Sequence, residues 1–129
     1  MEQPEFLTRE IISLFHEESL HRFGGSEGVR DEGMVRSALG AAENTWFYGT
    51  RDLFEVAASY AFHIAEAQAF VDGNKRTAVA AALTFLAGNG FEIPAAADET
   101  IYQAMISIAK KQLDKKGLAK LLREIAEPN

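Results

Sequence analysis

The sequence predicts an all-α fold: a compact bundle of about six to seven helices around a buried central helix (about 75–87), with a short flap or hairpin near 44–50. Three observations predict it. Apolar residues recur at three- and four-residue spacing through most of the chain. Short turns bearing glycine separate the segments that carry them. One stretch, Lys75 to Leu86, is alanine-rich and almost uncharged beyond its first turn, which suits a helix enclosed by others.

The elements follow in order. Leu7, Ile11, Leu14 and Phe15 fall at helical spacing with Glu10, Glu17 and Glu18 between them, and Phe23-Gly24-Gly25 ends that helix. Asp31 is placed to cap a second helix carrying Met34, Val35, Ala38 and Leu39. Asn44-Thr45-Trp46-Phe47-Tyr48-Gly49 shows no helical period and is aromatic, which fits the extended flap. Asp52 caps a long helix with Leu53, Ala57, Tyr60, Ala61 and Ile64 on one face. The loop Ala69 to Asn74 leads into the alanine-rich helix, which stops at Gly88-Asn89-Gly90. Two amphipathic helices remain. One carries Ile101, Met105 and Ile108. The other carries Leu118, Leu121, Leu122 and Ile125, with Asp114 as its cap.

The bulk properties limit what such a bundle does. Its 129 residues fit a single domain, 1–129, with one core. A net charge of −6 disfavours direct binding to nucleic acid or an anionic membrane. Lys110, Lys111, Lys115, Lys116 and Lys120 form a local basic patch, read as a solvated helix face. The absence of cysteine excludes disulfides, thiolate catalysis and Cys-ligated zinc. No run of 18 apolar residues suggests a membrane span. The start Met1-Glu2-Gln3-Pro4-Glu5 is acidic, unlike a secretory signal, so a cytoplasmic location is expected.

The chemistry concentrates in Asp72-Gly73-Asn74-Lys75-Arg76. A helix N-terminus offers unpaired amides and a partial positive charge, together a site for an anion. Gly73 permits close approach of the backbone, and Arg76 can fork onto phosphate oxygens. Lys75 adds a point charge, and Asn74 can donate to the same oxygens. Asp72 suits a magnesium ion that bridges phosphates. The same residues also make an ordinary turn with a helix cap, so the residues alone leave both readings open.

The run Phe70-Val71-Asp72-Gly73-Asn74-Lys75-Arg76-Thr77-Ala78 resembles the signature of the Fic/Doc family, and Lys75 resembles its death-on-curing (Doc) branch. Val79 stands where the adenylylating branch has a second Arg. Phe23-Gly24-Gly25, Val29 to Gly33, Ser37-Ala38-Leu39, Tyr60 to Ala65 and Phe85-Leu86 with Asn89-Gly90 look like the same branch. The resemblance implies a toxin-type domain of a toxin–antitoxin system. Such a domain binds ATP with Mg2+ and transfers phosphate, or a nucleotidyl group, to a protein hydroxyl. It implies Asp72 as the magnesium ligand and Gly73, Asn74, Lys75 and Arg76 as the phosphate holders. It also implies an antitoxin partner and a protein substrate such as a translation factor.

One position departs. Ala67-Gln68-Ala69-Phe70 stands where the family commonly has Asn-His-Pro-Phe, so Gln68 occupies the place of the catalytic His. Three neighbouring positions change together, which reads as divergence and not as a single inactivating substitution. A glutamine amide does not titrate near neutral pH and cannot serve as general base. His63 lies five residues away, about 140° round a helix from Gln68, and reads as a packing residue. His16 and His21 are expected at the surface, and no zinc site is expected. Trp46, Phe47 and Tyr48 fall where the family's target flap would lie, or are core aromatics. The in-chain inhibitory motif of some family members has no match here. A catalytically inactive module that binds nucleotide or a partner is the alternative reading.

Overall fold

The computed structural model describes residues 3–129, so Met1 and Glu2 of the acidic start lie outside the described residues. Among the described residues six helices follow one another: α1 Arg9–Phe23, α2 Glu32–Tyr48, α3 Leu53–Ala67, α4 Asn74–Gly88, α5 Asp98–Ala109 and α6 Lys115–Ile125. A 3-10 turn, Ala95–Ala97, precedes α5. Two short strands, β1 Phe91–Glu92 and β2 Glu127–Pro128, pair antiparallel with Phe91 opposite Pro128. The fold is all-α, as expected.

Four helix starts carry the side-chain caps that stop the backbone amides going unpaired. Thr8 accepts from Ile11, Asp31 from Met34, Asp52 from Phe54 and Glu55, and Asp114 from Gly117. Asp52 also pairs with Arg123 of α6. At the end of α1, Gly24 adopts φ +79, and its amide closes onto the Leu20 carbonyl at 2.8 Å.

The helix at 74–88 is central, packing on α1 and α3, but α3 shares that place and is the more enclosed. Val56 through Ala61 are consecutively buried, so α3 meets neighbours on every side. The alanines at 57, 58 and 61 let α2, α4 and α6 approach closely. Ser59 is satisfied by the Thr45 hydroxyl at 3.2 Å. The Tyr60 oxygen accepts from the Leu7 amide at 3.0 Å. Burial pushes the Tyr60 phenol up to about 12.

Two local expectations are corrected. The segment 44–49 is no flap or hairpin, because α2 runs through to Tyr48. Val35, Ala38, Leu39, Ala42 and Trp46 form one buried stripe at helical spacing, and burying Trp46 outweighs the β preference of the aromatic run. Thr45 is accommodated because its hydroxyl donates to the Ala41 carbonyl at 2.9 Å, one turn back. The helix stops at Gly49, where any Cβ would collide with the Thr45 carbonyl oxygen. In α1 the buried face is Ile12, His16 and Ser19, and Leu14 is exposed. His16 is thus not at the surface.

Trp46 provides a direct check. A flap tryptophan would tolerate truncation, whereas a core one does not. Trp46→Ala is expected to cost about 3–5 kcal/mol in denaturant unfolding. Tyr48→Ala, two residues on and 87% exposed, should stay within about 0.5 kcal/mol.

Candidate phosphate-binding site

The turn from α3 to α4 is set by what its backbone must satisfy. Gln68 takes the left-handed conformation (φ 47, ψ 42) and reverses the chain as α3 ends. Residues 28–31 then pair with it: Arg30 and Asp31 donate to the Ala69 carbonyl at 2.6 and 3.1 Å, and Val71 donates to Gly28 at 3.1 Å. Phe70 is buried, and the Asn74 side chain satisfies both of its backbone groups. Asn74 Oδ1 accepts from the Phe70 amide at 3.0 Å, and Nδ2 donates to its carbonyl at 2.9 Å. The Phe70 ring stacks on His16 with centroids 4.0 Å apart, and the Arg9 guanidinium lies 5.8 Å from it. Arg9 is fixed by a forked bond to Glu32 at 2.7 and 2.8 Å. That bond raises the Arg9 pKa and holds the Glu32 carboxyl below its ordinary range.

Beyond this turn α4 begins unlike the four capped helices. Gly73, at φ +80, is its N-cap, and no side chain caps the helix. The first internal bond is Thr77 to the Gly73 carbonyl at 2.9 Å. The amides of Gly73, Asn74, Lys75 and Arg76 are therefore left without a protein partner among the described residues. The first turn carries no acidic residue but two cations, against the helix dipole. Neither Lys75 nor Arg76 forms an ion pair among the described residues, and the Arg76 guanidinium lies 4.0 Å from the centre of the exposed Phe23 ring.

Gln68, Asp72, Gly73, Asn74, Lys75 and Arg76 line one open cleft of about 340 Å³, together with Ala65, Val71 and Tyr102. The loop residues singled out from sequence thus come together. Their side chains are not all free. Asn74 is occupied with Phe70, so its expected donation to phosphate is limited to the one Nδ2 hydrogen left over. Asp72 Oδ2 accepts from the Ser26 amide at 2.7 Å, which leaves Oδ1 open. One such oxygen suits magnesium, which takes few protein carboxylates and completes its shell with phosphate and water. The four unpaired amides suit the phosphates themselves.

The three aromatics assigned to a flap lie elsewhere. Trp46 is in the core. Tyr48 lines a separate recess of about 540 Å³ with Asn44, Glu55, Lys115 and Lys116. Sequence reasoning missed Tyr102, Ser26 and the burial of His16. The stripe Ile12, His16, Ser19 could have revealed the last; Tyr102 lies off the apolar stripe of α5 and carried no signal.

None of the three histidines lines the cleft. His63 is half-buried on α3, and its Nε2 lies 3.1 Å from Lys115 Nζ. An ammonium can only donate, so this nitrogen accepts and the ring is neutral. Burial, and then the Lys115 charge, lower the His63 pKa. Lys111 pairs with Glu66 at 3.1 Å, so the basic patch is partly engaged with local partners.

The Fic/DOC family model matches residues 6–86. The chain belongs to the Fic/DOC family. Within it the chain is Doc-like. It is 40% identical over 96 residues to the protein kinase doc of Escherichia phage P1, covering 71% of this chain and 75% of that protein. It is 38% identical over 101 residues to the toxin Doc of Mycolicibacterium smegmatis, covering 75% of this chain and 77% of that one.

Two outcomes follow from this geometry. Asn74→Ala orphans the amide and carbonyl of the buried Phe70 and should cost about 2 kcal/mol or more, with Asn74→Asp between it and the wild type. The His63 ring is held neutral by the fold. As pH falls below about 6.5 the unfolded chain takes up that proton first, so stability present at neutral pH is lost on acidification. The loss between pH 7 and 5, followed by urea unfolding, should be smaller in His63→Gln.

Proposed function

We propose that this protein is a Doc-type toxin domain of a cytoplasmic toxin–antitoxin system that binds ATP with Mg2+ at residues 72–76. Its reaction is transfer of phosphate, or of a nucleotidyl group, to a protein hydroxyl. The single observation that carries this reading is the uncapped start of α4, with four open amides, free Lys75 and Arg76, and the half-open Asp72 carboxylate. Phosphoryl transfer asks little of a protein beyond such positioning and charge stabilisation. The names of the relatives, a protein kinase and a toxin, favour phosphate over nucleotide transfer and an antitoxin as partner.

The phosphate oxygens would lie on the amides of Gly73 to Arg76, with Lys75 and Arg76 neutralising them. Asp72 would hold magnesium, which supplies charge neutralisation between the phosphates. In the reaction the target hydroxyl oxygen bonds to the terminal phosphorus, the bridging P–O bond breaks, and the nucleoside diphosphate leaves. The hydroxyl proton must also leave. Gln68 sits at the cleft but cannot accept it, and His16 and His63 are engaged elsewhere. The proton passes to water, and turnover is slow.

The absence of a titratable base also favours a second reading: a nucleotide- or partner-binding module without chemistry. One experiment separates the two. Purified protein is incubated with Mg2+, terminally labelled ATP and a translation factor such as an elongation factor. Gln68→His should raise label transfer by about 10²–10⁴-fold. Heat of ATP–Mg2+ binding without transfer in either protein would establish the module. Neither heat nor transfer at millimolar nucleotide would end the toxin reading and the nucleotide-binding module alike, leaving only a partner-binding one. Arg76→Ala should weaken nucleotide binding about tenfold or more.

A further inference from the structure

His16 is 6% exposed, and its Nε2 lies 2.8 Å from the main-chain oxygen of Asp72. A carbonyl oxygen only accepts, so Nε2 carries the hydrogen. The ring stacks on Phe70, and its Cδ2 would lie 3.5 Å from a Cβ at Gly73. His16 lines a groove formed with Gly25, Gly28 and Val29, not the cleft of Gln68 and Arg76. It therefore acts on the loop without facing the cleft.

The peptide joining Asp72 to Gly73 is trans. In a trans peptide the C=O and N–H point in opposite directions. Drawing the Asp72 oxygen towards α1 thus turns the Gly73 amide away from α1. That amide is one of the four without a protein partner. Rotation of this one peptide would withdraw a donor from the phosphate site and present a carbonyl oxygen to the anion instead. Gly73, lacking a Cβ, offers little resistance to such rotation, so an outside restraint is needed.

We infer that His16 is a positioning residue for the phosphate loop: its Nε2–H holds the Asp72 carbonyl and thereby aims the Gly73 amide at the bound phosphate. This rests on the reading of residues 72–76 as a phosphate site. A residue that merely fills space would be replaceable by any side chain of similar volume. A positioning residue is replaceable only by one that donates at the same point.

The matched pair His16→Gln and His16→Met tests this, since both lose the ring and only Gln keeps an N–H near the Nε2 position. Calorimetric titration of the full chain with ATP–Mg2+ should show His16→Met about tenfold weaker than wild type. His16→Gln should bind within about threefold of wild type. His16→Phe, which keeps the stack on Phe70 but has no donor, should bind as poorly as Met while remaining folded by circular dichroism at the titration temperature. Equal binding by Phe and wild type, or by Gln and Met, overturns the inference. If the wild type itself binds no ATP–Mg2+, the phosphate reading falls. The Gly73 amide resonance of the free protein then decides about His16. The restraint survives if Met and Phe shift that resonance and Gln restores it, and it is refuted if Met and Phe leave it unmoved.

Discussion

Burying Phe70 in the middle of a tight turn constrains everything around the site. Its ring needs apolar cover, and its amide and carbonyl need partners where water cannot reach. Asn74 supplies both partners from the first turn of the next helix. His16 and Arg9 cover the ring from α1, and residues 28–31 close the edge. These demands fix where α4 starts relative to α1 and α3. The same start of α4 leaves its first amides open.

The same geometry explains a division of labour between charges. α1, α2, α3 and α6 start on a Thr or Asp cap; α5 lacks a side-chain cap but has Asp98 and Glu99 in its first turn, whereas the uncapped α4 has Lys75 and Arg76 there. In an acidic chain this leaves a small cationic spot whose natural complement is an anion. Asp72 is the exception within it. Half of its carboxylate is spent on Ser26, so the loop 24–31 is tied to the site through the residue best placed to meet a cation. Gln68, which lines the same cleft, adds polarity but no titratable group.

Most of the fold was legible in the chain because it rests on local rules. Asp31, Asp52 and Asp114 cap where capping chemistry put them, Gly24 ends α1 in a conformation that favours glycine, and α4 stops at Gly88 as the Gly88-Asn89-Gly90 run suggests. The segment 44–50 reads as a flap on local β propensity alone, while the buried stripe Val35, Leu39, Ala42, Trp46 carries α2 on through it to Tyr48. The loop residues were legible as a cluster, since they are consecutive. Their engagements were not. Asn74 turning back to Phe70, Ser26 reaching Asp72 and Tyr102 arriving from α5 are products of tertiary packing, which no spacing along the chain encodes.

The far end of α4 has a consequence of its own. Asn89 binds the backbone of Glu5, and Asn129 binds Gly90 and Ala87, so the two ends of the described chain meet there. A helix of 15 residues is about 22 Å long. A dye, bead or fused domain attached beside Glu5 or Asn129 would thus stand a full helix length from the loop at 72–76. Joining the two ends to each other and opening the chain at an exposed turn would leave that loop's surroundings intact.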